Sequence, residues 1–325
     1  MRRRRSSLRL TGFLFCVLFV APTGLSAQNG VGVESAYLLL PIGARALGVG
    51  QAVVAGGVGS ESIGWNPALI ARAPREAAFN LAQQATGVIE TDASGSLLWP
   101  VPRLGAVALT LRYIGELPQS SSLTGDEAGK FSITGIIASG TFAATFGRRA
   151  SAGVTLKFLQ LGSHCTGSCD LPPFPPRTAA IDLGAQYLLT RDSMFTIGAS
   201  ALNLGFPLQV NDSPQADPLP SRLDVGVSVV PRLSSFSADI RARLEADIVQ
   251  PTSGGDAGFR FGAEVSWQQI YVVRAGYQVD APTGTGPTVG VGLATGKLRI
   301  DFAQVLTDLG VGLGKPTFLS LRYLF

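Results

Sequence analysis

The chain has 325 residues, and only 15% of them are charged, against about 25% in a typical soluble domain. The composition therefore argues against an ordinary soluble protein. The net charge of +4 comes from residues 1–27, which hold five arginines and no acid, so it gives no reason to expect nucleic acid as a partner.

Residues 1–27 predict a cleaved export signal. Residues 2–5 are all arginine, residues 10–21 are an apolar stretch, and residues 25–27 are Leu-Ser-Ala. A basic start, a short apolar run and a small-residue exit together form a secretory signal peptide. The alternative, a membrane anchor, needs about 20 apolar residues, and this run is shorter. We expect cleavage after Ala27, which leaves 21 basic and 22 acidic residues.

Residues 28–75 form a separate glycine-rich segment before the repeated strands. High glycine density indicates tight turns and close backbone approach. Asn66 and Pro67 predict a turn in which Pro67 begins a short helix and Asn66 caps it. The residues that stand out in this segment are Gly43, Arg45, Gly48, Gly50, Trp65, Asn66 and Pro67. The Gly-x-Gly at 48–50 resembles part of a dinucleotide-binding loop, but no βαβ unit surrounds it.

From residue 76 to residue 325, apolar and polar residues alternate. In 223–229, for example, Leu223, Val225 and Val227 alternate with polar or small residues. Successive side chains of a strand point to opposite faces, so each such segment has one apolar face and one polar face. We count about fourteen strands. Short turns are predicted near 101–104, 147–150, 190–193, 231–235, 267–270 and 296–298. Longer loops are predicted near 116–130, 162–177, 204–220, 250–257, 281–286 and 307–315, and a medium-length loop near 89–93.

An even strand count with short turns at one end and long loops at the other is typical of bacterial outer-membrane barrels. Aromatic residues also cluster at predicted strand ends, as in an interfacial girdle. The alternative, a soluble barrel or sandwich, has no reason for such loop asymmetry. We therefore predict an all-β, transmembrane antiparallel β-barrel of about 14 strands in the outer membrane. Its expected partners are outer-membrane lipid and the barrel-assembly machinery, because Tyr323 and Phe325 look like a C-terminal assembly signal.

The sequence offers little for catalysis or cofactor binding. Residues 28–325 contain one histidine, His164, in a region that we predict to be a loop, and outer-membrane hydrolases usually need a histidine base. Cys165 and Cys169 lie close together and predict a disulfide in an oxidising compartment. Metal binding by these two cysteines and His164 is the alternative. We predict no enzyme, no catalytic residue, no cofactor and no metal.

The polar strand faces carry both signs of charge. A general porin favours one dominant sign, whereas mixed charges indicate paired ladders that fill a narrow, plugged barrel. Arg45 is expected to pair with one of the acids on these faces, and the sequence does not say which.

The run from Ala36 to Ala71, AYLLLPIGARALGVGQAVVAGG…SIGWNPALIA, resembles the N-terminal signature of the PorV/PorQ family, a branch of the FadL-like barrels. It departs from that pattern at Val49, at Leu69-Ile70 and over residues 57–62. The resemblance implies a fourteen-stranded barrel whose N-terminal segment, residues 28–75, folds into the lumen near the periplasmic mouth.

The resemblance also implies two functions. A PorV-like protein handles secreted cargo proteins as a type IX secretion component, and this is our first expectation. A FadL-like protein takes up hydrophobic small molecules, and this is the alternative. For the alternative we expect an apolar pocket lined by Leu38, Leu39, Leu40 and Phe206.

Overall fold

The computed structural model describes residues 35–84, 89–116, 118–121, 129–167, 176–208, 216, 218–233, 239–252, 254–281, 284–307 and 315–325. The predicted export signal lies outside these residues. The strands are β1 Glu76–Gln84, β2 Ile89–Val101, β3 Gly105–Glu116, β4 Gln119–Ser121, β5 Gly129–Phe146, β6 Ala150–Gly167, β7 Arg177–Leu188, β8 Phe195–Gly205, β9 Arg222–Val229, β10 Ile240–Pro251, β11 Gly258–Trp267, β12 Tyr271–Ala281, β13 Gly284–Thr295, β14 Leu298–Val305 and β15 Pro316–Leu324.

These strands form a closed antiparallel barrel of fourteen strands, as predicted. Each strand pairs with its neighbours in sequence, and β1 closes the barrel by pairing with β15, with Glu76 opposite Leu324. The three-residue β4 continues the line of β3 and, like β3, pairs with β5. Both ends of the barrel chain therefore lie at the short-turn end, which is the periplasmic end in proteins of this architecture.

The two faces of the barrel wall are the reverse of those in a soluble protein. Leu109 and Leu111 on β3 point outward and are 67% and 60% exposed. Their neighbour Arg112 points into the lumen and is buried, as is Asp224 on β9. An apolar exterior and a charged interior suit a wall that faces lipid, and they exclude the soluble sandwich. No helix within the described residues is long and apolar enough to cross a membrane.

Several of the predicted loops contain strand residues. Residues 89–93 belong to β2, β6 continues to Gly167, and only residues 282–283 separate β12 from β13. β5 and β6 have 18 residues each, whereas a tilted strand crosses a bilayer with about 9–11. The outer ends of these strands project beyond the apolar layer, so they lose the alternating pattern on which the sequence prediction depended.

Residues 35–75 fold inside the barrel as a plug. It contains a short α-helix, α1 (Ala44–Gly48), and 3-10 helices at Ser35–Leu39, Gly59–Gly64 and Pro67–Arg72. Tyr37 packs with Ile114 and Leu161 near the long-loop end, whereas Ile70 packs with Ala106 and Ala143 near the short turns. The resemblance implied a plug near the periplasmic mouth. The structure shows instead that the plug extends along the lumen toward the long-loop end.

Candidate functional site

The lumen is the part of the molecule where the plug meets the charged inner wall. Glycines on the inner face of the wall make room for the plug backbone. A Cβ added at Gly276 would meet the nitrogen and Cα of Gly50, and one at Gly262 would meet the carbonyl of Val49. Gly50 itself has φ +64°, and a side chain there would lie 2.6 Å from the carbonyl oxygen of Phe261. The plug thus fits against backbone with no side chains between.

The wall glycines were not among the predicted site residues. Gly184, Gly198, Gly262 and Gly276 all stand on the polar, inward face of their strands, where the alternating pattern tolerates any small residue. Glycine weakens a strand, and it often marks a place where another backbone approaches closely. These glycines could therefore have been recognised in the sequence as contact positions for the plug.

Side chains of the wall also hold the plug backbone directly. The Gly50 N–H donates to Thr288 Oγ1 at 3.0 Å, and the Val54 N–H donates to Asp247 Oδ2 at 3.0 Å. Near α1, the Ala44 N–H donates to Ser320 Oγ at 2.8 Å. These bonds satisfy plug donors that are buried away from water, which would otherwise be costly.

Arg45 pairs with two acids rather than with one. Its Nε lies 3.0 Å from Glu264 and its Nη2 lies 3.4 Å from Glu245, and all three side chains are largely buried. Burial lowers the pKa of Arg45, but Glu264 and Glu245 outweigh this effect and raise it. The plug thus carries a permanent cation into an acidic part of the wall.

The ion pairs continue around the inner wall from this point. Arg274 lies 2.7 Å from both Glu264 and Asp301. Arg322 lies 3.1 Å from Asp301 and 3.6 Å from Glu61 of the plug. The predicted mixed-charge ladder therefore exists, and plug residues join it at two points. Burial raises the pKa of the Glu61 carboxyl, and Arg322 opposes this only in part.

The Trp-Asn-Pro sequence forms the turn that was predicted for it. The Asn66 side chain accepts a hydrogen bond from the Ala68 N–H at 3.0 Å and caps the 3-10 helix that begins at Pro67. Its amide also donates to Val54 O of the plug and to Ala185 O of the wall, at 2.8 and 2.9 Å. Trp65 is buried, and its indole N–H donates to Ile42 O at 3.1 Å.

The remaining motif glycines lie where backbone or charge approaches closely. Gly43 has φ +92° and precedes α1, and a Cβ there would overlap the carboxylate of Glu61. Gly48 at the end of α1 faces the Cα of Gly290 on β13. A larger residue at either position would push the plug away from its charge partners.

A small cavity of about 50 Å³ lies between the plug and the wall. Its apolar lining includes Leu38, Leu39 and Leu40, which were predicted to line a pocket. Phe206, which was predicted with them, does not line it: this side chain is 78% exposed beyond the end of β8. That part of the prediction is wrong: β8 ends at Gly205, and among the residues that follow, Leu208 rather than Phe206 is buried in the cluster that contains Tyr37 and Leu38.

Basic side chains also line the cavity, but each already has a counter-ion. Arg112 pairs with Asp92, Lys157 Nζ lies 2.6 Å from Asp182, and Arg222 Nε lies 3.1 Å from Asp224. The cavity as a whole is therefore close to neutral. This arrangement suits an apolar occupant better than a free anion.

The predicted residues outside the lumen lie elsewhere on the barrel. Cys165 is at the outer end of β6 and takes part in a disulfide, whereas its predicted partner Cys169 lies outside the described residues, so the pairing stays a prediction. No cluster of three potential metal ligands occurs in the part of the chain that the structure describes. Tyr323 and Phe325 face outward at the seam between β15 and β1, with stacked rings 6.0 Å apart.

The fold and the plugged lumen define a transmembrane β-barrel of the bacterial outer-membrane class. No family model and no curated protein matches the chain. Among solved structures it is similar to the CymD monoaromatic hydrocarbon channel, with TM-score 0.59 and 13% identity over 88% of this chain and 98% of that one.

Two further structures share the architecture. The P. putida toluene transporter TodX has TM-score 0.55 and 12% identity, over 82% of this chain and 94% of its own. A Pseudomonas aeruginosa FadL homologue has TM-score 0.51 and 12% identity, over 86% and 98%. At these identities the likeness concerns the fold alone.

Proposed function

We propose that this protein is a non-enzymatic outer-membrane channel for hydrophobic small molecules, gated by the plug of residues 35–75. The observation that carries the proposal is the small, nearly neutral cavity between the plug and the wall. Its apolar side is formed by residues 38–40 of the plug, so movement of the plug changes the space directly. The printed descriptions of CymD and TodX, a monoaromatic hydrocarbon channel and a toluene transporter, support the choice of substrate class.

The size of the cavity indicates that the described state is closed. About 50 Å³ is far less than the ~150 Å³ of an apolar cavity that binds benzene. Passage of an aromatic hydrocarbon therefore requires the plug to shift within the lumen. Hydrogen bonds and ion pairs hold the plug, so a limited displacement is more plausible than complete release.

The proposal is tested by filling the cavity from the wall. Ser139 on β5 lines it, and its neighbour Ala138 points outward on the same strand. We expect Ser139→Leu to slow toluene uptake into proteoliposomes by about tenfold, equivalent to ~1.4 kcal/mol on the barrier. Ala138→Leu adds more bulk toward the lipid only, and it serves as the matched control. Equal uptake by the two variants would contradict a path through this cavity.

A second candidate is the PorV-like handling of secreted proteins, supported by the motif resemblance over residues 36–71. Crosslinking in native envelopes, followed by analysis of both lipids and proteins, separates the two. A stable set of secreted cargo or secretion machinery favours this second candidate. Hydrophobic small molecules without a protein partner favour the channel, and a large conductance with the plug in place contradicts both.

A further inference from the structure

The segments that join the strands differ in charge at the two ends of the barrel. The short connections at the periplasmic end contain six basic and two acidic residues, which are Arg103, Arg148, Arg149, Arg191, Arg232 and Lys297, and Asp192 and Asp239. The connections at the other end contain one basic and seven acidic residues, which are Lys315, and Asp126, Glu127, Asp170, Asp212, Asp217, Asp256 and Asp308. Of the basic residues at the short-turn end, Arg103, Arg148, Arg191, Arg232 and Lys297 are exposed.

One further arginine belongs to this end and lies on the lipid-facing side of the wall. Arg75 precedes β1, and it has the same parity as the outward-facing Phe79, whereas the next residue, Glu76, points into the lumen. The Arg75 guanidinium carbon lies 3.9 Å from the ring centroid of Trp99 and 4.8 Å from that of Phe325. Both aromatic side chains are about 40% exposed on the outer surface of the barrel.

This position places a cation at the level of the aromatic girdle. Girdle aromatics lie at the boundary between the hydrocarbon layer and the lipid headgroups. The two rings fix the guanidinium at that depth, so its terminal nitrogens are the groups that can reach a headgroup. An arginine held in this way is suited to a phosphate group, which it contacts through two parallel N–H bonds.

We propose that the short-turn rim binds acidic phospholipid headgroups of the adjacent leaflet, with Arg75 between Trp99 and Phe325 as a specific phosphate site. The basic turns supply a positive potential around the rim, and Arg75 supplies a fixed contact at the barrel seam. A lipid is favoured over a soluble acidic protein, because Arg75 faces outward beside the lipid-facing rings rather than into the periplasm. This proposal is independent of what passes through the lumen.

The test uses the full chain reconstituted in bilayers that contain equal amounts of phosphatidylglycerol and phosphatidylcholine. Spin-labelled lipids of each type report the relative association of the two headgroups with the barrel surface. We expect the wild type to prefer phosphatidylglycerol, with a preference that declines as salt is added. We expect Arg75→Gln to reduce that preference by about fivefold, the effect of one basic residue near an acidic surface.

Three variants separate binding from folding. Lys315→Gln removes an equal charge from an exposed position at the opposite end, and the preference should be unchanged. Arg75→Lys keeps the charge but loses the two parallel N–H bonds and the planar contact with the rings, so it should retain only part of the preference. If Arg75→Gln impairs assembly, the triple variant Arg103→Gln, Arg148→Gln and Arg149→Gln, away from the seam, should show the loss instead.

Equal association of the two lipids with the wild-type protein would overturn the proposal. So would an equal effect of Arg75→Gln and Lys315→Gln. If the rim variants leave the lipid preference unchanged but abolish binding of soluble polyglutamate, the rim recognises an acidic macromolecule in solution and the lipid proposal is wrong.

Discussion

Single side chains in the lumen contribute very unequally to holding the plug. Glu264 lies between Arg45 of the plug and Arg274 of the wall, at 3.0 and 2.7 Å, so its carboxylate is shared by two cations. Glu61 is more deeply buried than Glu264, but its nearest cation, Arg322, is 3.6 Å away and also pairs with Asp301. Removing the charge of Glu264 should therefore lower the stability of the plugged state strongly, whereas removing that of Glu61 should change it little.

We expect Glu264→Gln to destabilise the plugged state by about 3 kcal/mol, because it leaves two buried guanidinium groups without their shared partner. Glu61→Gln should change stability by less than about 1 kcal/mol, since burial already raises the pKa of that carboxyl and an amide resembles its neutral form. Urea titration in detergent micelles, followed by protease sensitivity of the plug, measures both. A larger effect at Glu61 would show that the ladder is assigned incorrectly.

At the scale of the elements, the plug and the inner wall are matched by shape as well as by charge. The close backbone approach at Gly262 and Gly276 leaves no space for a methyl group, and each faces residues 49–50 of the plug. Because both strands are hydrogen-bonded to a neighbouring strand on either side, the wall has little freedom to move outward. The plug must therefore give way when a side chain is introduced there.

We expect Gly276→Ala to displace the plug while the barrel itself still assembles. The readouts are a rise in single-channel conductance and faster cleavage of residues 35–75 by added protease. Gly95→Ala on β2 is the matched control, because a Cβ there meets nothing within 4 Å. Unchanged conductance in Gly276→Ala would mean that the plug tolerates the methyl group without moving.

At the scale of the whole molecule, the barrel depends on the seam at which its first and last strands meet. The Phe325 N–H donates to Arg75 O at 3.2 Å, and its ring packs edge-on against Trp99 at 5.8 Å. Phe325 thus contacts both Arg75, which precedes β1, and Trp99 on β2. The C-terminal aromatic therefore contributes to closure as well as resembling an assembly signal.

We expect deletion of Phe325 to lower the heat-modifiable, folded fraction of the protein in outer membranes. Phe325→Tyr keeps the aromatic contacts and should restore assembly, whereas Phe325→Ser should not. Gel mobility of unheated and heated samples measures the folded fraction. If the deletion variant assembles like the wild type, the seam closes without these contacts.

The sequence alone determined the barrel, the count of about fourteen strands and, in the segments that alternate clearly, the face of each residue, because parity along a strand is a local property. It also determined the Asn66 cap, since an Asn-Pro turn depends on neighbouring residues. Only the tertiary structure decided that Arg45 pairs with both Glu245 and Glu264, that the plug reaches toward the long-loop end, and that Phe206 lies outside the cavity. These facts depend on which parts of the chain meet in the lumen. Residues 200 or more positions apart are in contact there, and no local pattern in the sequence indicates it.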